Sequence, residues 1–77
     1  MATRITGDRE FGSDSWWENA TAAPDRPAKL TPLLTRNERE IEVSDTEAVE
    51  IERWCAAIPG WGEGTEYAAH PLRFNPA

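Results

Sequence analysis

The sequence predicts an α+β fold: a small antiparallel β-sheet, made of a hairpin and an edge strand, packed against one amphipathic helix, with a largely irregular N-terminal arm. Three observations predict it. Arg39-Glu40-Ile41-Glu42-Val43 alternates polar and apolar residues with period 2, the mark of a half-buried strand. A capped helical pattern begins directly afterwards at Ser44. Residues 1–28, by contrast, sustain neither a period of 2 nor one of 3.6. The chain therefore divides into an arm, 1–28, and one small α+β domain, 29–77.

The arm carries Gly7, Gly12, Pro24 and Pro27 and the small-residue run Ala20–Ala23. Two features stand out from it. Thr3-Arg4-Ile5-Thr6 reads as a short strand, and Phe11 with Trp16 and Trp17 forms an aromatic cluster. Adjacent side chains of an extended chain point to opposite faces, so one tryptophan can complete the core while the other meets a partner. Lys29–Thr35 reads as a strand that Pro32 confines to a sheet edge. Arg36-Asn37-Glu38 reads as a turn, because Asn tolerates the left-handed conformation. The strand that follows completes the hairpin, with Ile41 and Val43 inward and Glu38, Glu40 and Glu42 outward.

Ser44-Asp45-Thr46-Glu47 fits a capping box, and Asp45 and Glu47 sit at the positive end of the helix dipole. The helix is expected from Asp45 to about Ile58, stopped by Pro59-Gly60. Ala48, Ile51, Cys55 and Ile58 line its buried face, with Trp54 on the flank. Gly60, Gly62 and Gly64 make a reversing loop, from which Trp61 is expected to fold back as a lid over the core. Tyr67–Phe74 holds a last edge strand, interrupted at Pro71, with Leu72 and Phe74 facing the core. The expected core is Ile41, Val43, Ala48, Ile51, Trp54, Cys55, Ile58, Leu72 and Phe74, with Leu33 or Leu34. A chain of 77 residues buries only about 60% of its unfolded surface. A homodimer touching through Trp61 or Trp17 would add to that.

Composition excludes several function classes. A single cysteine permits neither an intrachain disulfide nor a thiolate zinc site. No stretch approaches the ~20 apolar residues of a membrane span. Eight basic against fourteen acidic residues leave a net charge of −6, the wrong sign for gripping nucleic acid directly. Cys55 and His70 are the one nucleophile–base pair, but a cysteine on the apolar face of a helix stays a protonated thiol. No catalytic residue is therefore assigned, and the protein reads as non-enzymatic. Asp8, Glu10 and Asp14 miss the calcium-loop pattern, because Gly12 stands where a third oxygen ligand belongs. The Gly60-Trp61-Gly62-Glu63-Gly64 loop follows a helix and carries an acid, unlike a phosphate cradle. No metal and no cofactor are expected.

Charge placement supplies the candidate site. Between residues 31 and 58, seven acidic side chains stand against three basic ones. Glu38, Glu40 and Glu42 would form a ladder with rungs about 6.6 Å apart. Glu47 and Glu50, one helical turn apart, add to the same region. With Trp16, Trp17 and Trp61 as aromatic anchors, these residues make a docking surface for the basic surface of a protein. The plainer reading is a solvated acidic surface that keeps a small protein in solution. B-DNA carries a charge every ~1.7 Å of axis, so one glutamate ladder mimics it only with the helix carboxylates on the same face.

In size, acidity, four tryptophans and lack of catalytic groups, the whole chain resembles small phage-borne inhibitors of host defence, of the anti-CRISPR kind. That resemblance implies stoichiometric binding to a nucleic-acid-handling defence effector and block of its nucleic-acid site, in the cytoplasm of a bacterial host. The competing class is a minor virion or capsid-cementing protein, anchored through the arm by Trp16 and Trp17.

Overall fold

The computed structural model describes residues 1–8, 10–35, 38–63 and 69–77. Ala2–Gly7 forms strand β1, where Thr3, Ile5 and Thr6 favour extended backbone. It is the middle strand of a three-stranded antiparallel sheet, flanked by β2 (Glu40–Ser44) and β3 (Leu72–Pro76). Ile5 sets the register on both sides, opposite Ile41 of β2 and Phe74 of β3. Both outer strands run against β1 and so parallel to each other. Helix α3 (Asp45–Ala57) connects them, making a split β-α-β unit with β1 inserted between its strands.

Ser44 ends β2 and caps α3. Its hydroxyl accepts from the Glu47 N–H at 3.2 Å, and the Glu47 carboxylate accepts from the Ser44 N–H at 3.3 Å. The helix buries Ala48, Ile51 and Cys55, and leaves Trp54 and Ile58 half-buried. These positions match the helical spacing of the sequence, as do the cap and the antiparallel sheet packed against the helix.

Two segments fold differently from expectation. The N-terminal part is not an irregular arm: β1 is the centre of the sheet, and α1 (Asp14–Ala22) follows it. Ser13 caps α1 by accepting from the Trp16 N–H at 3.2 Å, and the helix ends just before Pro24. Side chains adjacent on a helix diverge by only ~100°, so Trp16 and Trp17 both turn inward, at 0% and 6% exposure. A boundary at residue 28 consequently cuts through one shared core containing Ile5, Trp16 and Val43.

Lys29–Thr35 is not a strand, and there is no hairpin with β2. Ala28–Leu30 makes a 3₁₀ turn that leads into α2 (Thr31–Thr35). Pro32 falls in the first turn of α2, where its missing N–H costs nothing. Leu30, Leu33 and Leu34 recur at i, i+3 and i+4 and are all buried, so the helical period outranks the edge-strand reading of Pro32. The expected turn at Arg36-Asn37, and Gly64, Glu66 and Tyr67, lie outside the described residues.

The helices meet the sheet on one side around the tryptophans. Trp16 Nε1 donates to the Cys55 carbonyl and Trp17 Nε1 to the Phe11 carbonyl, each at 3.0 Å. The two indoles pack edge to face, 5.2 Å between centroids. Gly7 lets Leu72 and Trp17 pack against β1: a Cβ there would stand 2.9 Å from Leu72 Cδ2 and 3.4 Å from the Trp17 ring.

Candidate functional site

The expected acidic surface is divided by the sheet. Thr3, Ile5, Ile41, Val43, Leu72 and Phe74 share the face that meets the helices. Arg4, Thr6, Glu40, Glu42, Arg73 and Asn75 share the opposite, open face. Glu40 and Glu42 therefore lie on one side of the sheet, and Glu47 and Glu50 on the other. The open face is also balanced in charge. Arg4 reaches Glu40 at 3.6 Å and stands directly opposite Glu42, while Arg73 packs 4.7 Å from the Phe11 ring centroid. Glu38 precedes β2, so the ladder has two rungs, not three.

Glu47 is occupied rather than presented. Lys29 Nζ lies 2.8 and 2.9 Å from its two oxygens, and the Ser44 hydroxyl donates to it at 3.0 Å. These hydrogen bonds, Lys29 first, hold its carboxyl below the usual range. Glu50 is exposed. Trp16 and Trp17 are core residues and present no anchor to a partner. Trp61 is half-buried, its ring 5.5 Å from Trp16 on one side and 4.9 Å from the exposed His70 on the other. It does fold back over the core, as the glycines around it suggest.

Cys55 is fully buried, and burial first, then the nearby Glu52 charge, pushes its thiol up to about 12. Such a thiol is not a nucleophile at neutral pH. Among the described residues no three His, Cys, Asp or Glu side chains gather as a metal site. No helix among them is long and apolar enough to cross a membrane.

A different surface brings apolar and acidic groups together. Asp45, Val49, Glu52 and Ala56 recur at i, i+4, i+7 and i+11, so they form one flank of α3 beside its buried face. All four are exposed, and Val49 at 51% is one of two large hydrophobics left open to water among the described residues. The other, Met1, lies beside it. A groove of about 340 Å³ runs between this flank and β3, lined by Met1, Val49, Glu52 and Phe74 among others. Glu52, Phe74 and Asn75 also line a second groove, of about 630 Å³, whose walls include Leu72, Arg73, Trp61 and His70. No known family model, curated protein or solved structure matches this chain. The α3–β3 cleft is defined by the chemistry of the residues that line it.

That chemistry suits binding. The half-buried Phe74 and exposed Val49 offer apolar area, while Glu52 has no cationic partner among the described residues. Asp45 accepts from the Thr3 hydroxyl at 2.7 Å, which ties the start of α3 to β1 at one end of the cleft. Sequence reasoning missed this flank because it followed the apolar positions of α3 only to the buried stripe. The signal was Val49, an apolar residue amid the polar positions of the helix.

Proposed function

We propose that this chain is a non-enzymatic protein-binding module that engages its partner through the cleft between α3 and β3. The observation that carries this reading is the exposure of Val49 next to Phe74 along an acidic helix flank. An inhibitor that occupies the nucleic-acid site of a bacterial defence effector is one form of it. That form needs a basic partner surface, and a net charge of −6 supplies the attraction. The balanced open face of the sheet weighs against mimicry of a phosphate ladder, so docking runs through the helix side. The cementing alternative depended on an arm anchored by Trp16 and Trp17. Both are in the core, and no other observation favours it.

The test is positional. A photo-crosslinking side chain is placed at Val49 or at Glu42, and each protein is irradiated in lysate of cells that carry it. The expected result is a discrete adduct from position 49 and none from position 42. Equal adducts from both, or none from position 49, would refute the docking face.

A further inference from the structure

Resting on the reading of this cleft as a protein-binding site, we propose that its occupant is an amphipathic helix of the partner, laid along α3. One edge of that helix carries lysine or arginine toward β3, and the other carries acids toward Arg53. The backbone decides between helix and strand. Leu72 is only 2% exposed, so its backbone groups are covered and β3 presents no open edge for an extended segment to pair with. An occupant must therefore satisfy its own N–H and C=O groups, and a helix does so.

The exposed arc of α3 fits such a helix. At about 100° per residue, Ala56 falls about 20° from Val49, so the two make a short stripe of small apolar groups. Asp45 and Glu52 lie about 40° and about 60° to one side of Val49, and Arg53 about 40° to the other. All five positions are exposed. The acids are on the β3 side, since both line the smaller groove with Phe74, whereas Arg53 lines neither groove. Small side chains at Val49 and Ala56 let a second helix approach to about 8–10 Å between axes. Half-buried Phe74 gives it an apolar floor. Charges flanking a helical seam select the partner and its direction, and this seam has acids on one edge and a base on the other.

The larger groove does not extend the seat. Its lining holds His70 and Arg73 as well as Glu52, a mixture that does not favour a basic edge. The His70 ring packs on Trp61, and the Arg73 guanidinium on Phe11 at the open face of the sheet. The basic edge of the partner is thus confined to the stretch from Asp45 to Glu52. A second copy of this chain is a poorer occupant, because pairing would join two molecules of charge −6.

The probe is a short synthetic helical peptide with a leucine–alanine stripe, lysines along one edge and glutamates along the other. It is titrated into the isotope-labelled full chain, and amide shifts are followed residue by residue. Shifts are expected to concentrate at Val49, Glu52 and Phe74. Glu52→Lys should weaken binding about fivefold, while Glu42→Lys, an equal change in net charge on the other side of the sheet, should alter it less than about twofold. Val49→Ser should weaken it about tenfold and tests the stripe independently if Glu52→Lys disturbs α3. A central proline in the peptide should weaken binding by more than about tenfold, because it breaks the helix. Absence of shifts, equal weakening by the two lysine variants, or undiminished binding of the proline peptide would overturn the proposal. So would shifts centred on Trp61 and His70, or shifts that grow with protein concentration without peptide, which would assign the flank to a second copy. Failure here with a crosslink from position 49 intact removes the helical partner and leaves the docking face standing. Loss of that crosslink removes the docking face itself.

Discussion

Replacing Trp16 tests whether the N-terminal third belongs to the core. The indole is fully buried, touches Trp17 and Trp61, and donates to the Cys55 carbonyl at 3.0 Å. Trp16→Ala removes this contact area and leaves a cavity, at a cost of about 3–5 kcal/mol. At 0.05–0.15 kcal/mol per residue, a domain of this length has roughly 4–12 kcal/mol to lose. The variant is therefore expected to be close to unfolding at room temperature. Trp16→Phe separates ring from hydrogen bond. The Cys55 carbonyl also accepts from the Ile58 N–H at 3.2 Å, so it is not orphaned when the indole N–H goes. That variant should lose only about 1–2 kcal/mol. Urea unfolding followed by far-ultraviolet circular dichroism measures both without relying on the fluorophore being replaced. Glu42→Ala, on the exposed face, serves as the control and should stay within about 0.5 kcal/mol of the parent. A Trp16→Ala protein within about 1 kcal/mol of the parent would refute the packing described here.

Other positions give independent checks. Cys55 should resist alkylation in the folded protein and react readily in denaturant, so its labelling rate should track unfolding; rapid labelling of native protein would contradict its burial. The same raised value makes stability fall as pH climbs above the ordinary thiol value of 9.0, where only the unfolded state ionises. Gly60→Ala should cost more than about 1 kcal/mol in melting experiments, because φ is +103° and the new Cβ would stand 2.8 Å from Ser13 Oγ and Trp16 N. The lowered carboxyl of Glu47 contributes stability that is complete above its ordinary value of 4.5 and is lost as pH falls through the folded value. Glu47→Gln should accordingly flatten the acid limb of a stability profile, and an unchanged limb would show that Lys29 does not hold this carboxylate.

Local signals made one half of this fold legible and long-range pairing hid the other. The alternation through Ile41 and Val43, the cap at Ser44 and the spacing of Ala48, Ile51 and Cys55 are each complete within a few residues. The choice of partner for β2 is not. Proximity favours the preceding segment, yet β2 pairs with Thr3 and Ile5, almost forty positions away. Two nearer clues pointed the right way: the Ser13-Asp14 cap before Trp16, and the helical spacing of Leu30, Leu33 and Leu34. Pro32 obscured the second, since proline suits both a strand edge and the first turn of a helix. For the site, sequence counted the acids but could not tell which side of the sheet each would occupy.

That division changes what the negative charge can do. On the open face, Arg4 sits within reach of both Glu40 and Glu42, and Arg73 completes an even balance. Opposite charges paired across exposed strands contribute little to stability, but they cancel the field that a partner would sense. The excess therefore resides with α1 and α3, where the acidic side chains outnumber Arg53 by a wide margin. Of the two flanks of α3, the one bearing Glu47 is tied down by Lys29, and Trp54 there donates to Asp25 at 3.3 Å. The other flank retains Glu52 beside exposed Val49 and half-buried Phe74. Attraction and apolar area thus coincide at one place on the molecule, and a partner steered toward the helix side would find its contacts in the α3–β3 cleft.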